Sequence, residues 1–370
     1  MRNTVSLIAA TALTTASLST AALAENINFN VWVPPSEIIV SDGFIPYFDA
    51  VTKETDGAVT VQLFTAGQMM GPLDTMPAVR DGAVQGGMVD AVYYSKDMNY
   101  AAMFGDLVAF SPNAVAAAGA SAETFFQDCP ECLEDFTENN MIALGGTSSA
   151  PYTVMCSTEI TSLDDLKGLR VRGSIDYHFA LIEALGANGV NVPFSEIAQS
   201  FERGNVDCLL GGPTWLRAFG ITELIKSRLS TVSFGTINVP GQLAFQKSAW
   251  DSWSDEVHAS MIKNAPIMIA NATIEVLKDN DESAALAHEA GMKEIDLGTD
   301  LEALRDSFLV SERVRLIAAG EARGAEHTER VLDAYLANYA IWEELAAEIG
   351  DDKEKFAEVL WERIYSQLDM

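Results

Sequence analysis

Basic residues are scarce in this chain of 370 residues. Lysine and arginine together number 23 against 53 aspartates and glutamates, which gives a formal net charge of -30. A field of that sign repels nucleic acid and anionic lipid surfaces, so neither is expected as a partner. It also repels small anions in solution. A site for a small anion would therefore need positive charge that is concentrated locally.

Catalytic signatures are also missing. The sequence contains no GxSxG elbow, no HExxH helix and no GxxxxGK loop, so serine hydrolase, zinc protease and nucleotide-hydrolysis functions lack a starting motif. Of the histidines His178, His258, His288 and His327, the last three lie in a polar, helical part of the sequence. We therefore expect no catalytic residue, no metal site and no cofactor. An exported enzyme is kept only as an alternative hypothesis.

A long apolar run occurs only at the amino terminus. Val5 to Leu23 is apolar with interspersed threonine and serine, Arg2 precedes it, and Ala22-Leu23-Ala24 offers the small residues that signal peptidase recognises. These features predict a signal peptide over residues 1–24, cleaved after Ala24. A membrane anchor is the alternative, but the threonine and serine content argues against it. No later stretch is apolar over the length of a membrane span, so we expect no membrane insertion of the mature chain.

Cysteine is limited to four positions, Cys129, Cys132, Cys156 and Cys208. An even number in an exported chain favours disulfides, and four cysteines allow three pairings. Of these we favour Cys129 with Cys132 and Cys156 with Cys208; the second bond would join the strand that ends at Cys156 to the strand through Asp207. A CxxC spacing also occurs in zinc and redox sites, but the sequence has no second CxxC and no histidine near Cys129.

The distribution of apolar residues predicts alternating strands and helices. Strand-like alternation over 27–33 is followed by helical spacing over 41–55 and by a second strand over 58–64, which is a βαβ opening. Similar alternation follows, and beyond residue 254 the pattern is mainly helical. This order predicts an α/β fold. Removing 24 residues from 370 leaves 346, more than one hydrophobic core usually supports, so two domains are expected.

Two segments of the sequence suggest where the chain passes between these domains. Residues 145–149 are small and polar and mark a first passage, while the extended stretch 232–246, interrupted by glycine and proline, allows a return. We therefore predict one lobe over 25–148, which about 236–275 rejoins, and a second lobe over 149–235. The helical region 276–370 is expected to brace both lobes.

The segment 166–212 contains the strongest candidate for ligand binding. Its pattern predicts a strand that ends at Arg172, and ligands of α/β folds gather at the carboxyl ends of strands. Arginine stays charged and presents a planar fork that binds a carboxylate through two parallel hydrogen bonds. The alternative role for this residue is an internal ion pair with Glu196 or Asp207. Arg170 points the same way but lies deeper in the strand.

Aromatic residues at predicted strand ends are candidates for the walls of a pocket. Such rings more often belong to a hydrophobic core, so each has a structural alternative. If several converge on the arginine, an anion with an apolar or cationic portion becomes a suitable ligand, because aromatic faces attract cations. The candidates are Trp32, Tyr93, Tyr94, Trp215 and Phe234.

Several stretches in order carry a family resemblance. They are TDGAVTVQLFTAGQMMG (55–71), RDGAVQGGMVDA (80–91), DLKGLRVRG (165–173), EALGANGVNVPFSEI (183–197) and ERGNVD (202–207). Together they resemble the periplasmic substrate-binding proteins of tripartite ATP-independent periplasmic (TRAP) transporters, of the dicarboxylate-binding DctP type. The resemblance covers most of the mature chain and thins beyond Asp255.

The resemblance implies a two-lobed periplasmic-binding-protein-like fold with crossing strands and a long helix that spans the hinge. It places the arginine that pairs with the ligand carboxylate at Arg172. The polar, often asparagine-bearing stretch that follows the VD pair in the family here reads CLLGGPTW over 208–215, which departs from ordinary dicarboxylate specificity. Thr214 and Trp215 are expected to replace the missing polar contacts, and the strand 232–236 is expected to supply another wall.

The resemblance also implies a function. We expect a periplasmic solute-binding protein that captures a small organic anion, a carboxylate or a sulfonate, by hinge closure and delivers it to the integral membrane subunits of a TRAP transporter. A carboxylated, betaine-like zwitterion is an alternative ligand. A sensor subunit that presents its ligand to a receptor is an alternative function with the same binding and a different partner.

Overall fold

The computed structural model describes residues 25–368, and the predicted signal peptide, residues 1–24, lies outside them. The described strands are β1 (Glu25–Asn30), β2 (Val59–Phe64), β3 (Gly86–Met88), β4 (Met141–Ser148), β5 (Thr153–Cys156), β6 (Arg170–Gly173), β7 (Asn188–Asn191), β8 (Cys208–Gly211), β9 (Ser227–Leu229), β10 (Asn238–Gln246) and β11 (Lys293–Ile295). The described α-helices are α1 (Ile45–Glu54), α2 (Pro72–Arg80), α3 (Ala114–Glu123), α4 (Pro130–Glu138), α5 (Asp176–Ala184), α6 (Ile197–Glu202), α7 (Thr214–Ala218), α8 (Lys247–Trp250), α9 (Asp255–Glu289), α10 (Gly298–Arg323), α11 (Thr328–Ile349) and α12 (Lys353–Arg363).

Two mixed sheets form the framework of the fold. The first has the strand order β2-β1-β3-β10-β4, and the second has the order β11-β9-β5-β8-β6-β7. Each sheet contains a parallel group, β1 to β3 in the first and β6 to β8 in the second. A strand from elsewhere in the chain pairs antiparallel with each group, β10 in the first sheet and β5 in the second. The predicted α/β class is confirmed.

The first sheet packs on aromatic side chains that the sequence spaces for a strand and a helix. Ile27 and Phe29 alternate on the buried face of β1, and Phe44 and Phe48 lie one turn apart around the start of α1. The ring centroid of Phe29 lies 5.2 Å from that of Phe44 and 5.0 Å from that of Phe48. Each fully buried ring of this kind contributes about 1.5 to 3 kcal/mol. This packing fixes β1, and with it the residues that follow β1.

Two chain segments cross between the sheets. β4 of the first sheet leads into β5 of the second, and β9 of the second leads back to β10 of the first. The predicted polar loop over 145–149 is wrong, because β4 continues to Ser148 and pairs antiparallel with β10 up to Asn238. Gly146 permits this pairing, since a Cβ at that position would clash with the Val239 carbonyl. The division of the chain into two lobes at these crossings stays a prediction.

Helix α9 is 35 residues long and packs against elements of both sheets. It contacts α1 and β4 beside the first sheet and α7 beside the second. An ion pair between Arg217 of α7 and Asp279 of α9 strengthens the second contact. The sequence pattern predicts two helices, over 255–277 and 279–290, which is wrong because contacts with α1, β4 and α7 hold one continuous helix. The predicted boundary at residue 275 therefore falls inside α9.

The C-terminal region 276–370 also contacts both sheets. β11 pairs with β9 at the edge of the second sheet, α10 packs against α5, and α11 packs against α3. The indole N–H of Trp342 in α11 donates to Glu123 at the end of α3, and Arg363 binds the same carboxylate. Within residues 25–368, no helix has both the length and the apolar content that crossing a bilayer requires.

Both predicted disulfide bonds are present. Cys156 and Cys208 lie directly opposite each other in the antiparallel pair of β5 and β8, so their bond joins two central strands of the second sheet. Cys129 and Cys132 close the turn at the start of α4. None of the four thiols is free, which leaves no thiolate for the zinc alternative.

Candidate ligand-binding site

A cavity of about 200 Å³ lies between the two sheets, beside the crossing segments. Its walls come from the chain that follows β1, β3 and β4, from β6 and β10, from the start of α7 and from the middle of α9. The carboxyl edge of parallel strands is the usual position of ligands in α/β folds. The lining side chains include a guanidinium, two carboxyls and several aromatic rings, contributed by Arg172, Asp90, Glu37, Trp32, Tyr93, Tyr152, Phe194 and Trp215.

Arg172 reaches the cavity from the third position of β6, between β7 and β8. The residue is 2% exposed, and its Nε donates to the carbonyl oxygen of Val192 at 3.0 Å. Burial lowers the pKa of Arg172 from its usual value, although arginine keeps its proton at neutral pH. Within residues 25–368, no carboxylate forms an ion pair with this guanidinium. Its terminal nitrogens therefore remain available to an anion in the cavity.

Arg170 binds the aspartate that was a candidate ion-pair partner of Arg172. The Nε and Nη2 atoms of Arg170 bind the two carboxylate oxygens of Asp207 at 2.9 and 2.7 Å. These hydrogen bonds lower the pKa of the Asp207 carboxyl. The ion pair lies at the amino end of β6 and is partly exposed, and Glu196, the other candidate partner, is exposed. The acid that could have neutralised Arg172 is thus occupied by its neighbour.

Trp215 forms the wall beside Arg172. It is the second residue of α7, which begins directly after the two glycines and the proline that follow β8's apolar run. A side chain at Gly211 would overlap the indole, so glycine there makes room for the ring. The guanidinium carbon of Arg172 lies 5.4 Å from the indole centroid, and the rings of Tyr152 and Phe194 meet the indole edge-on at 5.3 Å. A guanidinium beside aromatic surface suits an anion with an apolar body.

The opposite wall comes from the first sheet. The indole N–H of Trp32, two residues after β1, donates to the Met88 carbonyl at 3.2 Å. Tyr93 meets that indole edge-on, with centroids 5.9 Å apart. Asp90, two residues after β3, is 8% exposed, and burial raises the pKa of its carboxyl to about 7. The first sheet therefore presents aromatic surface and a buried acid to the cavity.

His178 lies behind the cavity wall. Its Nδ1 accepts a hydrogen bond from the Ser174 backbone N–H at 3.2 Å, and its ring lies 5.5 Å from that of Tyr152. Burial, reinforced by the positive charge of Arg172, lowers the pKa of His178 to about 3. The ring is therefore neutral at physiological pH. It supports the turn after β6 and adds no charge that competes with Arg172 for an anion.

The structure brings five of the seven predicted site residues to this cavity. Two come from the first sheet and three from the second, so residues far apart in the sequence meet across the gap between the sheets. They are Trp32, Tyr93, Arg172, Thr214 and Trp215.

Tyr94 and Phe234 do not reach the cavity wall. The sequence predicts a strand through Tyr94, but β3 ends earlier and a 3₁₀ turn over Ala91–Tyr94 sends the two tyrosine side chains in different directions. The Tyr94 hydroxyl donates to the carbonyl of Pro72. Phe234 is buried in the core of the second sheet, and the predicted wall strand 232–236 has no regular structure.

Several residues of the wall were not predicted from the sequence. Asp90 falls within a predicted buried strand, where an acid is itself a signal, because unpaired aspartates are rarely buried without a functional reason. Gln242 gives a similar signal as a polar residue in an apolar strand. Tyr152 and Phe194 begin predicted elements and look like core residues, and nothing in the local sequence singles out Glu37.

Solved structures of TRAP solute-binding proteins resemble this fold. A marine metagenome protein specific for aromatic acid ligands, from an unidentified microbe, has a TM-score of 0.74 at 21% identity, with 86% of this chain and 99% of that chain covered. A Bordetella pertussis extracytoplasmic solute receptor that binds pyroglutamic acid has a TM-score of 0.71 at 17% identity, with 84% and 99% covered. A Sulfitobacter sp. NAS-14.1 protein with bound β-D-galacturonate has a TM-score of 0.70 at 17% identity, with 85% and 100% covered.

These likenesses establish the fold, and a family model establishes the class of protein. The model for bacterial extracellular solute-binding protein, family 7, matches residues 33–307, which is most of the chain. The family and the similar structures are solute-binding proteins, so the expectation of a binding protein in place of an enzyme is confirmed. The chain belongs to the bacterial extracellular solute-binding proteins of family 7.

Proposed function

We propose that this protein captures a small organic acid between two lobes and delivers it to the membrane subunits of a TRAP transporter. The observation that carries the proposal is the buried guanidinium of Arg172, which lines the cavity without a carboxylate partner among residues 25–368. A buried charge without a partner is costly, so an anionic ligand group is the natural complement. A carboxylate or a sulfonate meets this need, since its oxygens accept parallel hydrogen bonds from the guanidinium.

The proposed lobes follow the two sheets. One comprises 25–148 and the returning segment of about 236–275, the other comprises 149–235, and region 276–370 braces both. The crossing segments beside β4 and β10 then form the hinge, and α9 spans it. Closure excludes water, which strengthens the ion pair between Arg172 and the ligand because the local dielectric constant falls. The ligand drives closure only through its higher affinity for the closed form.

The proposed ligand carries a ring or another apolar body next to its acid group. Trp215, Tyr152 and Phe194 provide aromatic surface close to Arg172. The similar structures have aromatic acids, pyroglutamic acid and galacturonate as ligands, which share a ring and a carboxyl group. The stretch 208–215 supplies glycines and an indole in place of an asparagine, so a cyclic monocarboxylate fits better than a linear dicarboxylate.

The proposed location is the periplasm, reached through the signal peptide of residues 1–24. The family is extracellular, and the small residues that end at Ala24 fit cleavage there. Intact-mass spectrometry of the protein from the periplasm of a Gram-negative host should give the mass of the chain from Glu25 to Met370. A product that keeps residues 1–24 and stays in the membrane fraction would contradict this location.

A thermal-shift screen tests the capture of an organic acid. The panel contains benzoates, mandelate, pyroglutamate, uronates, cyclic aliphatic acids, sulfonates and betaines. A ligand at 100 times its dissociation constant stabilises the folded protein by about 2.7 kcal/mol, which raises the melting temperature measurably. We expect stabilisation by at least one cyclic carboxylate or sulfonate.

Arg172→Ala should abolish most of that stabilisation. The loss of charge-assisted hydrogen bonds worth about 1.5 to 3 kcal/mol each predicts an affinity at least about a hundredfold lower. Arg170→Ala is the matched control, because it removes an arginine from the same strand whose partner is Asp207. An unchanged thermal shift in Arg172→Ala would remove this residue from the site and would overturn the proposal.

A further inference from the structure

Asp90 is a buried acid in the cavity wall. A ligand that is a simple anion offers this acid no positive partner. Asp90 lines the cavity and is 8% exposed. Its Oδ1 accepts a hydrogen bond from Nε2 of Gln242 at 2.9 Å. Across the described part of the chain, no second donor contacts the carboxyl, and no lysine or arginine forms an ion pair with it.

The first sheet holds this carboxyl in a fixed position. Gln242 lies in the middle of β10 and is 5% exposed. Its Oε1 accepts a hydrogen bond from Oγ1 of Thr147 in β4 at 3.0 Å, so the amide keeps its NH₂ group towards Asp90. One carboxyl oxygen of Asp90 is therefore occupied by the protein, and Oδ2 remains to accept a hydrogen bond from a molecule in the cavity.

The charges of the cavity wall do not balance when a monoanion is bound. The wall contains the guanidinium of Arg172 and the carboxyls of Asp90 and Glu37. A ligand carboxylate neutralises Arg172 and leaves both acids without a cation. Burial raises the pKa of the Asp90 carboxyl to about 7, although the hydrogen bond from Gln242 opposes this effect. A positive group placed against Asp90 would favour its ionised form and would leave only Glu37 without a cation.

The side chains near Asp90 also suit a positive group. Trp32 and Tyr93 line the cavity as an edge-on aromatic pair, and aromatic faces attract cations. Burial raises the pKa of Tyr93, the charge of Asp90 raises it further, and the charge of Arg172 lowers it. Asp90 and Arg172 line the same cavity of about 200 Å³, so both charges face a molecule that is bound there.

We propose that the ligand is a zwitterion whose carboxylate binds Arg172 and whose protonated nitrogen donates a hydrogen bond to Asp90. This inference rests on the proposed function, because it takes Arg172 as the site of the acid group. The ligand class is a ring that bears both a carboxylate and an N–H cation. Asp90 then discriminates against a simple anion of the same shape, because that anion leaves a buried carboxyl unpaired.

Isosteric ring acids test this discrimination. The three piperidine carboxylic acids place a protonated ring nitrogen at increasing distance from the carboxylate, and cyclohexanecarboxylate has the same size and no nitrogen. Isothermal titration calorimetry of the wild-type protein should show that the best piperidine acid binds at least tenfold tighter than cyclohexanecarboxylate. An N,N-dimethylated form of that acid keeps the charge and lacks the N–H donor, so it should bind more weakly than its parent.

The variant Asp90→Asn should lose the preference. Because the variant lacks the buried negative charge, it should bind cyclohexanecarboxylate at least as tightly as the wild type does, which also shows that it is folded. Equal affinities in the wild type, a preference that survives in Asp90→Asn, or no binding of any of these acids would overturn the zwitterion proposal.

Arg172→Ala separates this proposal from the proposed function. If that variant binds cyclohexanecarboxylate as well as the wild type does, the acid group does not bind Arg172 and both proposals fail. If Arg172→Ala abolishes binding while the wild type binds the nitrogen-containing and nitrogen-free rings equally, the proposed function stands and only the role of Asp90 is overturned.

Discussion

Arg172 and Asp90 lie near the ends of strands that belong to different sheets. Arg172 is the third residue of β6, and its backbone lies between Val190 of β7 and Leu209 of β8. Asp90 follows β3, and its carboxyl is held by Gln242 of β10. Both residues are buried, so the charge of a ligand between them acts at low dielectric constant and changes affinity strongly.

The affinity for a zwitterion should increase with pH up to about 7. In the free protein, burial raises the pKa of Asp90 to about 7, so the carboxyl is mostly protonated below that pH. A cationic nitrogen binds the ionised carboxyl, and binding therefore releases a proton. Well below the pKa, the dissociation constant should fall about tenfold per pH unit, and above it the affinity should level off. Other titratable groups act on Asp90 or share its wall. Apart from Glu37, they keep their protons over this range; they are Tyr93, Tyr94, Tyr152 and Arg172.

Calorimetry in buffers of different ionisation enthalpy measures both the affinity and the proton release. Burial also raises the pKa of Glu37, so this residue shifts the pH dependence in the same direction. Asp90→Asn isolates the contribution of Asp90, because it should remove most of the pH dependence while Glu37 is unchanged. A pH profile that is identical in the variant would assign the titration to another group.

The position of Arg172 in the cavity wall was easier to predict from the sequence than the rest of the wall. The position of Arg172 follows from local strand periodicity and from a family motif, and both are visible in a few residues. Whether Asp207 pairs with Arg170 or Arg172 depends on register between strands, which the sequence does not show. Asp90 was missed because a short strand followed by a 3₁₀ turn has the same apolar pattern as one longer strand.

At the scale of elements, the two disulfide bonds should differ in their contribution to stability. The Cys156–Cys208 bond closes a loop with a sequence separation of 52, and the Cys129–Cys132 bond closes one of 3. A crosslink restricts the unfolded chain more when the loop is longer, which predicts about 4 kcal/mol for the first bond and about 1.6 kcal/mol for the second.

Chemical denaturation of two double variants measures this difference. Cys156→Ala with Cys208→Ala should lower the free energy of unfolding more than Cys129→Ala with Cys132→Ala does, and the two variants serve as controls for each other. Equal losses would mean that local packing, and not loop length, determines the effect of each bond.

The elements predicted over 27–33, 41–55 and 58–64 agree with β1, α1 and β2 to within a few residues, and the errors elsewhere concern pairing at a distance. The segment 145–149 looks like a loop because it is small and polar, but β10 needs small residues there to approach β4 closely. The break near Lys278 was predicted from a change in local pattern, whereas α9 is held as one helix by contacts with α1, β4 and α7. Local periodicity contains no information on these contacts.

At the scale of the whole molecule, the fold places a buried guanidinium inside a strongly negative protein. The net charge of the chain is -30, and Arg172 is buried between the two sheets. The overall field opposes the approach of an anion, while a zwitterion carries no net charge and is affected much less. The charge of the molecule thus favours the same ligand class that Asp90 favours at the residue scale.

This field makes ligand association depend on salt in a way that reports the charge of the ligand. The screening length shortens from about 30 Å at 0.01 M salt to about 10 Å at 0.1 M. Stopped-flow tryptophan fluorescence, with Trp32 and Trp215 in the cavity wall as reporters, measures the association rate. The association rate of cyclohexanecarboxylate should increase several-fold over this range of salt, and that of a piperidine carboxylic acid should change little. Dissociation rates should be nearly constant for both compounds, because the contacts in the closed site are shielded from salt. An anion that associates faster at low salt would show that the local potential of Arg172 outweighs the field of the whole molecule, and selection by net charge would then be wrong.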